Sequence, residues 1–331
     1  MRTFMVGAAL VALAASPVAA QEKAAAYDAE RCVNLGNSLE TPKGENWGGR
    51  RMRVDDLERI KAAGFDTVRI PVRWSDYAAQ EPPYTIQPDF MEEVETIVDA
   101  ALDMGFNVVL NVHHYEEMMR DPRGHARRLI GLWRQIAPHF ADRSDNLWFE
   151  TLNEPNGELT GKLMQQVQAA SVAAIRESNP DRIVILMGED WSGIRSLGSN
   201  IAPPDDNIVY SFHYYDPFSF THQKAEWLGD AMPKGTRGWG SKADRQELAR
   251  ATETAATFAE ATGHPVFLGE VGVNSPVKNK ERVKYLGAVT KAMSEKGIAW
   301  CIWSYANTFA LYEDGKGWDK DALEALGLTA E

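Results

Sequence analysis

Cysteine and positive charge are both scarce in this sequence, and each shortage excludes a class of protein. The 331 residues include only two cysteines, Cys32 and Cys301, and no Cys-x-x-Cys pair. Two cysteines cannot complete a structural zinc site unaided, although an exported chain could join them in a disulfide. Lysine and arginine number 35 against 47 acidic residues, which gives a net charge of −12. We therefore expect neither nucleic acid nor an anionic membrane as a partner.

Long apolar runs are also rare, and the one that occurs lies near the N-terminus. Arg2 precedes a 12-residue apolar run, Phe4 to Ala15, and Val18-Ala19-Ala20 follows it. The run is too short to span a bilayer comfortably, and the three parts together are typical of a secretory signal. We predict cleavage after Ala20 and export to the periplasm or the medium.

Linkers and low-complexity segments are missing from the remainder. No Pro/Ser/Thr-rich stretch divides residues 21–331, and this length suits one large α/β domain. The sequence therefore predicts a signal peptide over residues 1–20 and one domain over residues 21–331, which we expect to be soluble and monomeric.

Short apolar stretches alternate with amphipathic helical patterns, and none doubles back into a hairpin. Such alternation indicates a parallel sheet, and eight units in one domain indicate a closed (β/α)8 TIM barrel. A doubly wound open sheet is less favoured, because Gly36 is followed by Asn-Ser-Leu rather than by a Gly-x-Gly-x-x-Gly turn. The predicted strands are 31–37, 65–71, 106–112, 147–154, 182–188, 207–213, 265–270 and 298–303.

The fourth stretch, residues 147–156, ends in Asn153-Glu154-Pro155. Proline cannot continue a strand ladder, so Asn153 and Glu154 should lie at the carboxyl end of the strand, where barrel chemistry occurs. A glutamate there, beside an amide that can bind a hydroxyl, is a candidate general acid. Alone, the pair could equally be a polar cap on the strand.

Polar and aromatic residues end the other predicted strands as well, and a barrel brings all such ends to one mouth. Sugar hydrolysis needs two carboxyl groups on opposite sides of one glycosidic bond, and tryptophan offers a flat face to a pyranose ring. The strand-end residues are Asn37, Arg69, His113, His114, Asn153, Glu154, Glu189 to Trp191, His213, Tyr215, Glu270 and Trp303.

The chain resembles glycoside hydrolase family 5 of the cellulase type, whose members are retaining (β/α)8 glycosidases. Seven pieces occur in the family's order, and one departure is Cys32, where related chains often carry glycine. The matching pieces are residues 33–37, 68–71, the His113 strand end, residues 152–155, 213–215, 269–270 and Trp303.

The resemblance implies roles for these residues. Glu154 would be the general acid/base and Glu270 the nucleophile, with Arg69 and Tyr215 holding Glu270 ionised. Asn153 would bind the sugar 2-hydroxyl. No cofactor or metal is implied. The residues expected to bind a β-linked polysaccharide or oligosaccharide are Asn37, Arg69, His113, His114, Asn153, Trp191, His213, Tyr215, Trp239 and Trp303.

The segment from residue 214 to 241 is too long for a simple barrel connection and is rich in aromatic residues, including Trp227 and Trp239. We interpret it as a wall of the substrate cleft, although a packed loop covering the barrel top would have the same composition.

The predicted activity is that of a secreted endo-β-1,4-glucanase acting by double displacement, with β-mannan, xyloglucan and mixed-linkage glucan as alternative substrates. A non-catalytic sugar-binding barrel is disfavoured because Glu154 and Glu270 are both present. A metal-dependent hydrolase is suggested by His113-His114, but adjacent strand residues should face opposite ways.

The two cysteines fall on the first and eighth strands, which are neighbours in a closed barrel. Cys32 lies early in its strand and Cys301 nearer the end of its own, so their heights are expected to differ. This expectation argues against a disulfide and leaves the pairing open.

Overall fold

Eight parallel strands close into a barrel in the computed structural model, which describes residue 24 and residues 27–47, 50–199 and 205–329. Each strand pairs with its neighbours in the chain, and β1 pairs with β8 to complete the ring. The predicted (β/α)8 barrel is confirmed. The strands are β1 (Arg31–Asn34), β2 (Thr67–Ile70), β3 (Asn107–Asn111), β4 (Leu147–Glu150), β5 (Val184–Met187), β6 (Ile208–His213), β7 (Val266–Val271) and β8 (Ala299–Ile302).

The helices connect the strands and cover the outside of the barrel. Capping residues in the sequence set the helix limits. Ser241 caps the start of α7, where its hydroxyl accepts from the backbone N–H of Asp244, and Gly263 caps the end, where a φ of 69° suits glycine. The helices are α1 (Val54–Ala62), α2 (Pro88–Asp103), α3 (Glu116–Arg120), α4 (Pro122–His139), α5 (Gly161–Arg176), α6 (Phe218–Thr221), α7 (Lys242–Thr262), α8 (Asn279–Ser294) and α9 (Lys320–Ala325).

Two kinds of element above the barrel were not predicted, short helices and a strand pair. The short helices α3 and α6 lie in loops above the barrel, and a small antiparallel pair, β9 (Tyr312–Glu313) and β10 (Gly317–Trp318), precedes α9. None of the helices among the described residues is long and apolar enough to cross a membrane. The predicted signal, residues 1–20, lies outside the described residues.

Side chains alternate along each strand between the helix layer and the barrel interior. Outward residues such as Val33, Val108 and Phe149 pack against the helices in the larger apolar core. Inward residues near the amino ends of the strands, in what we call the lower half of the barrel, form a second, separate apolar cluster. The upper half is the part near the carboxyl-end mouth. The strand members of the second cluster are Cys32, Val109, Trp148, Ile185, Val209, Phe267, Ala299 and Cys301. The ring of Tyr27 packs below this cluster, 4.9 Å from Trp148 between centroids.

Cys32 and Cys301 are joined by a disulfide across the seam between β1 and β8. The expectation that their heights differ was wrong, because the ladder pairs the two residues directly and their Cα atoms are 4.1 Å apart. Strands in a tilted barrel are staggered, so a residue's position within its own strand does not give its height.

β4 ends at Glu150, four residues before the predicted end. Asn153 and Glu154 therefore lie in the loop that follows. That loop still rises beside the barrel, because the Asn153 amide donates to the carbonyl of Val112 beyond β3. Both side chains consequently stay at the carboxyl-end mouth.

Candidate active site

Arg69 on β2 is the centre of a buried polar network and has no exposed surface. Its guanidinium donates to both carboxylate oxygens of Glu150, at 2.8 and 2.7 Å, and to Glu270 Oε1 at 2.8 Å. It also donates to the amide oxygens of Asn34 at 2.7 Å and Asn153 at 2.6 Å. One cation thus fixes side chains from β1, β4, β7 and the loop after β4.

Glu270 near the end of β7 receives three polar partners. Besides Arg69, the Tyr215 hydroxyl donates to its Oε2 at 2.9 Å, and His213 Nδ1 lies 3.5 Å from the same oxygen. Burial raises the pKa of Glu270, while His213, Arg69 and the Tyr215 hydrogen bond act against that rise. The three partners moderate the effect of burial on the pKa of Glu270, and Arg69 and Tyr215 act in the direction expected of them.

Glu154 lies across the mouth with a backbone φ of 46°, in the left-handed region. His213 Nδ1 is 2.6 Å from its Oε1, and 23% of its side chain is exposed. Burial raises the pKa of Glu154 to about 7, with Arg69 opposing the rise and Glu150 adding to it. Glu154 can therefore hold a proton near neutral pH and still reach the cleft.

The two glutamates converge with His213. One carboxylate oxygen of Glu154, one of Glu270 and a ring nitrogen of His213 lie within 4.8 Å of one another. This is the only such group among the residues that the structure describes, and it does not include His113 or His114. The Arg69 guanidinium already pairs with Glu270 at 2.8 Å, so this carboxylate has a cationic partner within the protein.

His113 and His114 both line the cleft, although adjacent residues were expected to face opposite ways. A left-handed backbone at His114, with φ 49°, turns its ring inward. The His113 ring stacks on Trp303 at 5.7 Å, and the His114 ring packs edge-on against Trp47 at 5.3 Å. Burial lowers the pKa of both rings, that of His114 to about 3, so both are neutral at pH 7.

Glu154 lies at the junction of two cavities. The larger holds about 690 Å³ and contains Glu270 and Trp303. The smaller holds about 390 Å³ and contains Trp191 and Asn156. His114 and Glu154 border both. A proton on Glu154 therefore faces the boundary between the two cavities.

The family model for cellulase, glycosyl hydrolase family 5, matches residues 28–308. The chain belongs to this family. Endoglucanase H of Acetivibrio thermocellus is 35% identical over 301 residues, which are 89% of this chain and 32% of that protein. The chain thus spans about a third of the length of that relative, and 34% of the cellulase/esterase CelE of the same organism.

Solved structures of the family superpose over nearly the whole domain. Endoglucanase Cel5A of Thermotoga maritima has a TM-score of 0.86 at 36% identity and covers 90% of this chain and 96% of its own. The cellulose synthase subunit Z of Clostridioides difficile has a TM-score of 0.87 at 35% identity and covers 90% of this chain and 99% of its own. The Thermotoga enzyme has been crystallised with cellobiose and with mannotriose.

Of the tryptophans predicted to line the family-5 cleft, three border one of the two cavities and one does not. Trp303 is part of the larger cavity, and Trp191, 59% exposed, is part of the smaller one. Trp227 also borders the larger cavity, so part of the segment over residues 214–241 does form a wall. Trp239 was predicted wrongly as a cleft residue: it is buried and packs on Tyr285 of α8.

The remaining predicted residues are at the mouth. Asn37, His113, His114, Tyr215 and Glu270 border the larger cavity and Asn153 the smaller. His213 and Arg69 lie beneath them and touch the two glutamates.

Sequence reasoning missed Glu150, the fully buried carboxylate that shares Arg69 with Glu270. Its signal was its spacing, since a charged residue two positions after the inward Trp148 must face the barrel interior. It also missed Asn34 and cleft residues from distant loops, for which the sequence carries no periodic signal. Those cleft residues are Trp47, His222, Thr308 and Phe309.

Proposed function

We propose that the protein is an exported endo-β-1,4-glucanase that cleaves internal β-1,4-glucosidic bonds with retention of anomeric configuration. The observation that carries this proposal is the pair of glutamates whose carboxylate oxygens approach within 4.8 Å. Retaining glycosidases need their two carboxyl groups about 5–5.5 Å apart, whereas inverting enzymes need about 6.5 Å or more to admit a water.

In the first step Glu270 attacks the anomeric carbon, and Glu154 gives its proton to the departing glycosidic oxygen. The pKa of Glu154, near 7, suits an acid that must be protonated before the step and ionised after it. Arg69 and the Tyr215 hydroxyl hold the two Glu270 oxygens, which aims the carboxylate and stabilises its charge. The product of this step is a covalent glycosyl-enzyme.

In the second step the ionised Glu154 removes a proton from water, which attacks the same carbon and releases Glu270. His213 touches Glu154 at 2.6 Å and lies 3.5 Å from Glu270, so it is placed to follow the charge as it moves between them. Asn153, anchored by Arg69, is available to bind the sugar 2-hydroxyl, where contacts strengthen in the transition state.

β-1,4-Glucan is the proposed substrate, since named relatives and solved structures of this family are endoglucanases. β-Mannan is the second candidate, because the Thermotoga maritima enzyme has been crystallised with mannotriose as well as cellobiose. The two cavities on either side of Glu154 suit a chain that continues in both directions, which is the requirement for internal cleavage.

Export is proposed from the signal-like residues 1–20. The Cys32–Cys301 disulfide supports it, because disulfides persist mainly in oxidising compartments. The mass of the protein recovered from the periplasm or medium tests this: cleavage after Ala20 predicts a chain beginning at Gln21.

A reducing-sugar assay over carboxymethyl cellulose, β-mannan, xyloglucan and mixed-linkage glucan tests the substrate, with Glu270→Gln as the matched inactive control. We expect the highest kcat/KM on β-1,4-glucan and a rapid fall in viscosity, which reports internal cuts. A higher kcat/KM on β-mannan would make β-mannan the preferred substrate in place of β-1,4-glucan. Activity equal to that of the control on every glycan would overturn the proposal.

A further inference from the structure

Two buried polar atoms next to the glutamates have no hydrogen-bond partner among the described residues: Ser211 Oγ and His213 Nε2. Ser211 has no exposed surface and His213 has 4%. Both residues are on β6, two positions apart, so both side chains point into the barrel. A buried polar atom left unpaired is costly, and two adjacent ones call for an explanation.

Gly269 on β7 brings the two atoms to one space. A Cβ at position 269 would lie 2.6 Å from Ser211 Oγ and 3.1 Å from His213 Nε2. Both atoms therefore border the same gap in the barrel interior, and the missing side chain of Gly269 keeps that gap open. Any larger residue at position 269 would collide with the serine hydroxyl.

The two carboxylates near Nδ1 decide which ring nitrogen of His213 carries the hydrogen, and therefore whether Nε2 is a donor or an acceptor. His213 Nδ1 faces Glu154 Oε1 at 2.6 Å and Glu270 Oε2 at 3.5 Å. When Glu154 has given up its proton, as it has after the first step of the proposed mechanism, both carboxylates only accept hydrogen bonds, so Nδ1 must then carry the hydrogen. Burial lowers the pKa of His213 to about 4, so the ring is neutral at pH 7 and Nε2 is a bare acceptor. It needs a donor.

We propose that Ser211 is a positioning residue, whose hydroxyl donates to His213 Nε2 and holds the ring in the Nδ1–H tautomer that faces Glu154. This bond requires a rotation of the hydroxyl about the Ser211 Cα–Cβ bond, or one bridging water, across the gap beside Gly269. The orienting partner of a working histidine commonly sets its tautomer in this way. The importance of this tautomer for hydrolysis rests on the proposed function, but the tautomer itself does not.

Nitrogen-15 NMR of the His213 ring tests the tautomer without any substrate. In the unaltered protein, at a pH well above the Glu154 pKa of about 7, we expect a protonated Nδ1 and an unprotonated Nε2, with the His213→Asn spectrum assigning the signals. Ser211→Thr, which keeps the hydroxyl, should retain this pattern. Ser211→Ala should shift the population towards the Nε2–H form, and Ser171→Ala, a buried serine on α5, serves as the control.

The kinetic readout is a loss of kcat with little change in KM. Ser211→Ala should lower kcat roughly tenfold, which is the size of the loss when the hydrogen-bond partner of a metal-binding histidine is removed. Ser211→Thr should restore most of the lost kcat. An Nε2–H tautomer in the unaltered protein, or an unchanged tautomer in Ser211→Ala, would overturn the proposal. Were no glycan hydrolysed at all, the spectra would still decide this point separately from the proposed function.

Discussion

The lower and upper halves of the barrel interior are built from the same strands and differ in chemistry. Inward residues of the lower half are apolar, and a disulfide joins two of them. On five of the strands, the inward position two residues further along is polar or lacks a side chain. The steps are Cys32 to Asn34, Val109 to Asn111, Trp148 to Glu150, Val209 to Ser211 and Phe267 to Gly269.

This difference separates stability from catalysis along the barrel axis. Apolar burial in the lower half stabilises the fold by roughly 25 cal/mol per Å² of surface removed from water. The upper half instead buries Arg69 between Glu150 and Glu270, and a buried ion pair returns little net stability because desolvation offsets its attraction. The upper half therefore holds its geometry through hydrogen bonds, supported from below.

Removing the two glutamates at the barrel mouth should lower activity more than any other change. Glu270→Ala should lower kcat/KM on the order of 10⁶-fold, as nucleophile removal does in a serine protease. Glu154→Ala should lower it about 10²- to 10⁴-fold on natural glycans. On an aryl glycoside with an activated leaving group, Glu154→Ala should spare the first step, which burst kinetics would measure. Equal loss of that burst in both variants would contradict the assignment of the two roles.

Neutralising Glu150 tests whether the upper half depends on paired charge. Glu150→Gln leaves Arg69 paired with Glu270 but replaces an acceptor oxygen of the buried network with an amide donor that faces another donor, so unfolding should become easier by about 1–3 kcal/mol in urea titrations. Glu177→Gln, which breaks the exposed pair with Arg134, is the matched control and should leave the midpoint unchanged. A stable Glu150→Gln protein would mean that the pair is dispensable to the fold.

The same variant has a pH signature. In the proposed mechanism Glu154 must be protonated to act, so activity should fall as pH rises through its pKa of about 7. The negative charge of Glu150 helps to raise that pKa, and Glu150→Gln should lower it. The alkaline limb of the kcat/KM profile should therefore move to lower pH, and a move to higher pH would contradict this electrostatic account.

Opening the lower half should cost stability and leave catalysis alone. The Cys32–Cys301 disulfide joins residues 269 positions apart, and removing it with paired alanines should destabilise the protein by about 2–4 kcal/mol. Urea unfolding with and without reductant measures the loss, and kcat/KM below the unfolding transition should be unchanged. A matching drop in kcat/KM would show that the two halves are not separable.

A change at the rim of the smaller cavity should have the smallest effect on kcat/KM. Trp191→Ala removes an exposed indole that can stack on a sugar beyond Glu154, and it should lower kcat/KM about fivefold, mainly through KM. Trp239→Phe, which alters a buried indole outside both cavities, is the control and should leave KM unchanged. Equal effects of the two variants on KM would show that Trp191 does not contact the substrate.

Strand order and the identity of the mouth residues could be predicted from the sequence, because apolar stretches ending in polar residues mark barrel strands. Positions set by tertiary geometry could not. The stagger that aligns Cys32 with Cys301 depends on barrel tilt, and the left-handed backbone that turns His114 inward has no periodic signal. Trp239 was misplaced because aromatic composition does not distinguish a cleft wall from packing on Tyr285.

The anomeric configuration of the first product tests most directly the central claim that the upper half of the barrel is a retaining site. Proton NMR during early hydrolysis of a β-1,4-glucan oligosaccharide follows the anomers before mutarotation. Direct attack by Glu270, less than 5 Å from Glu154 between nearest oxygens, predicts that the β-anomer appears first. Initial appearance of the α-anomer would contradict both the nucleophile role of Glu270 and the mechanism built on it.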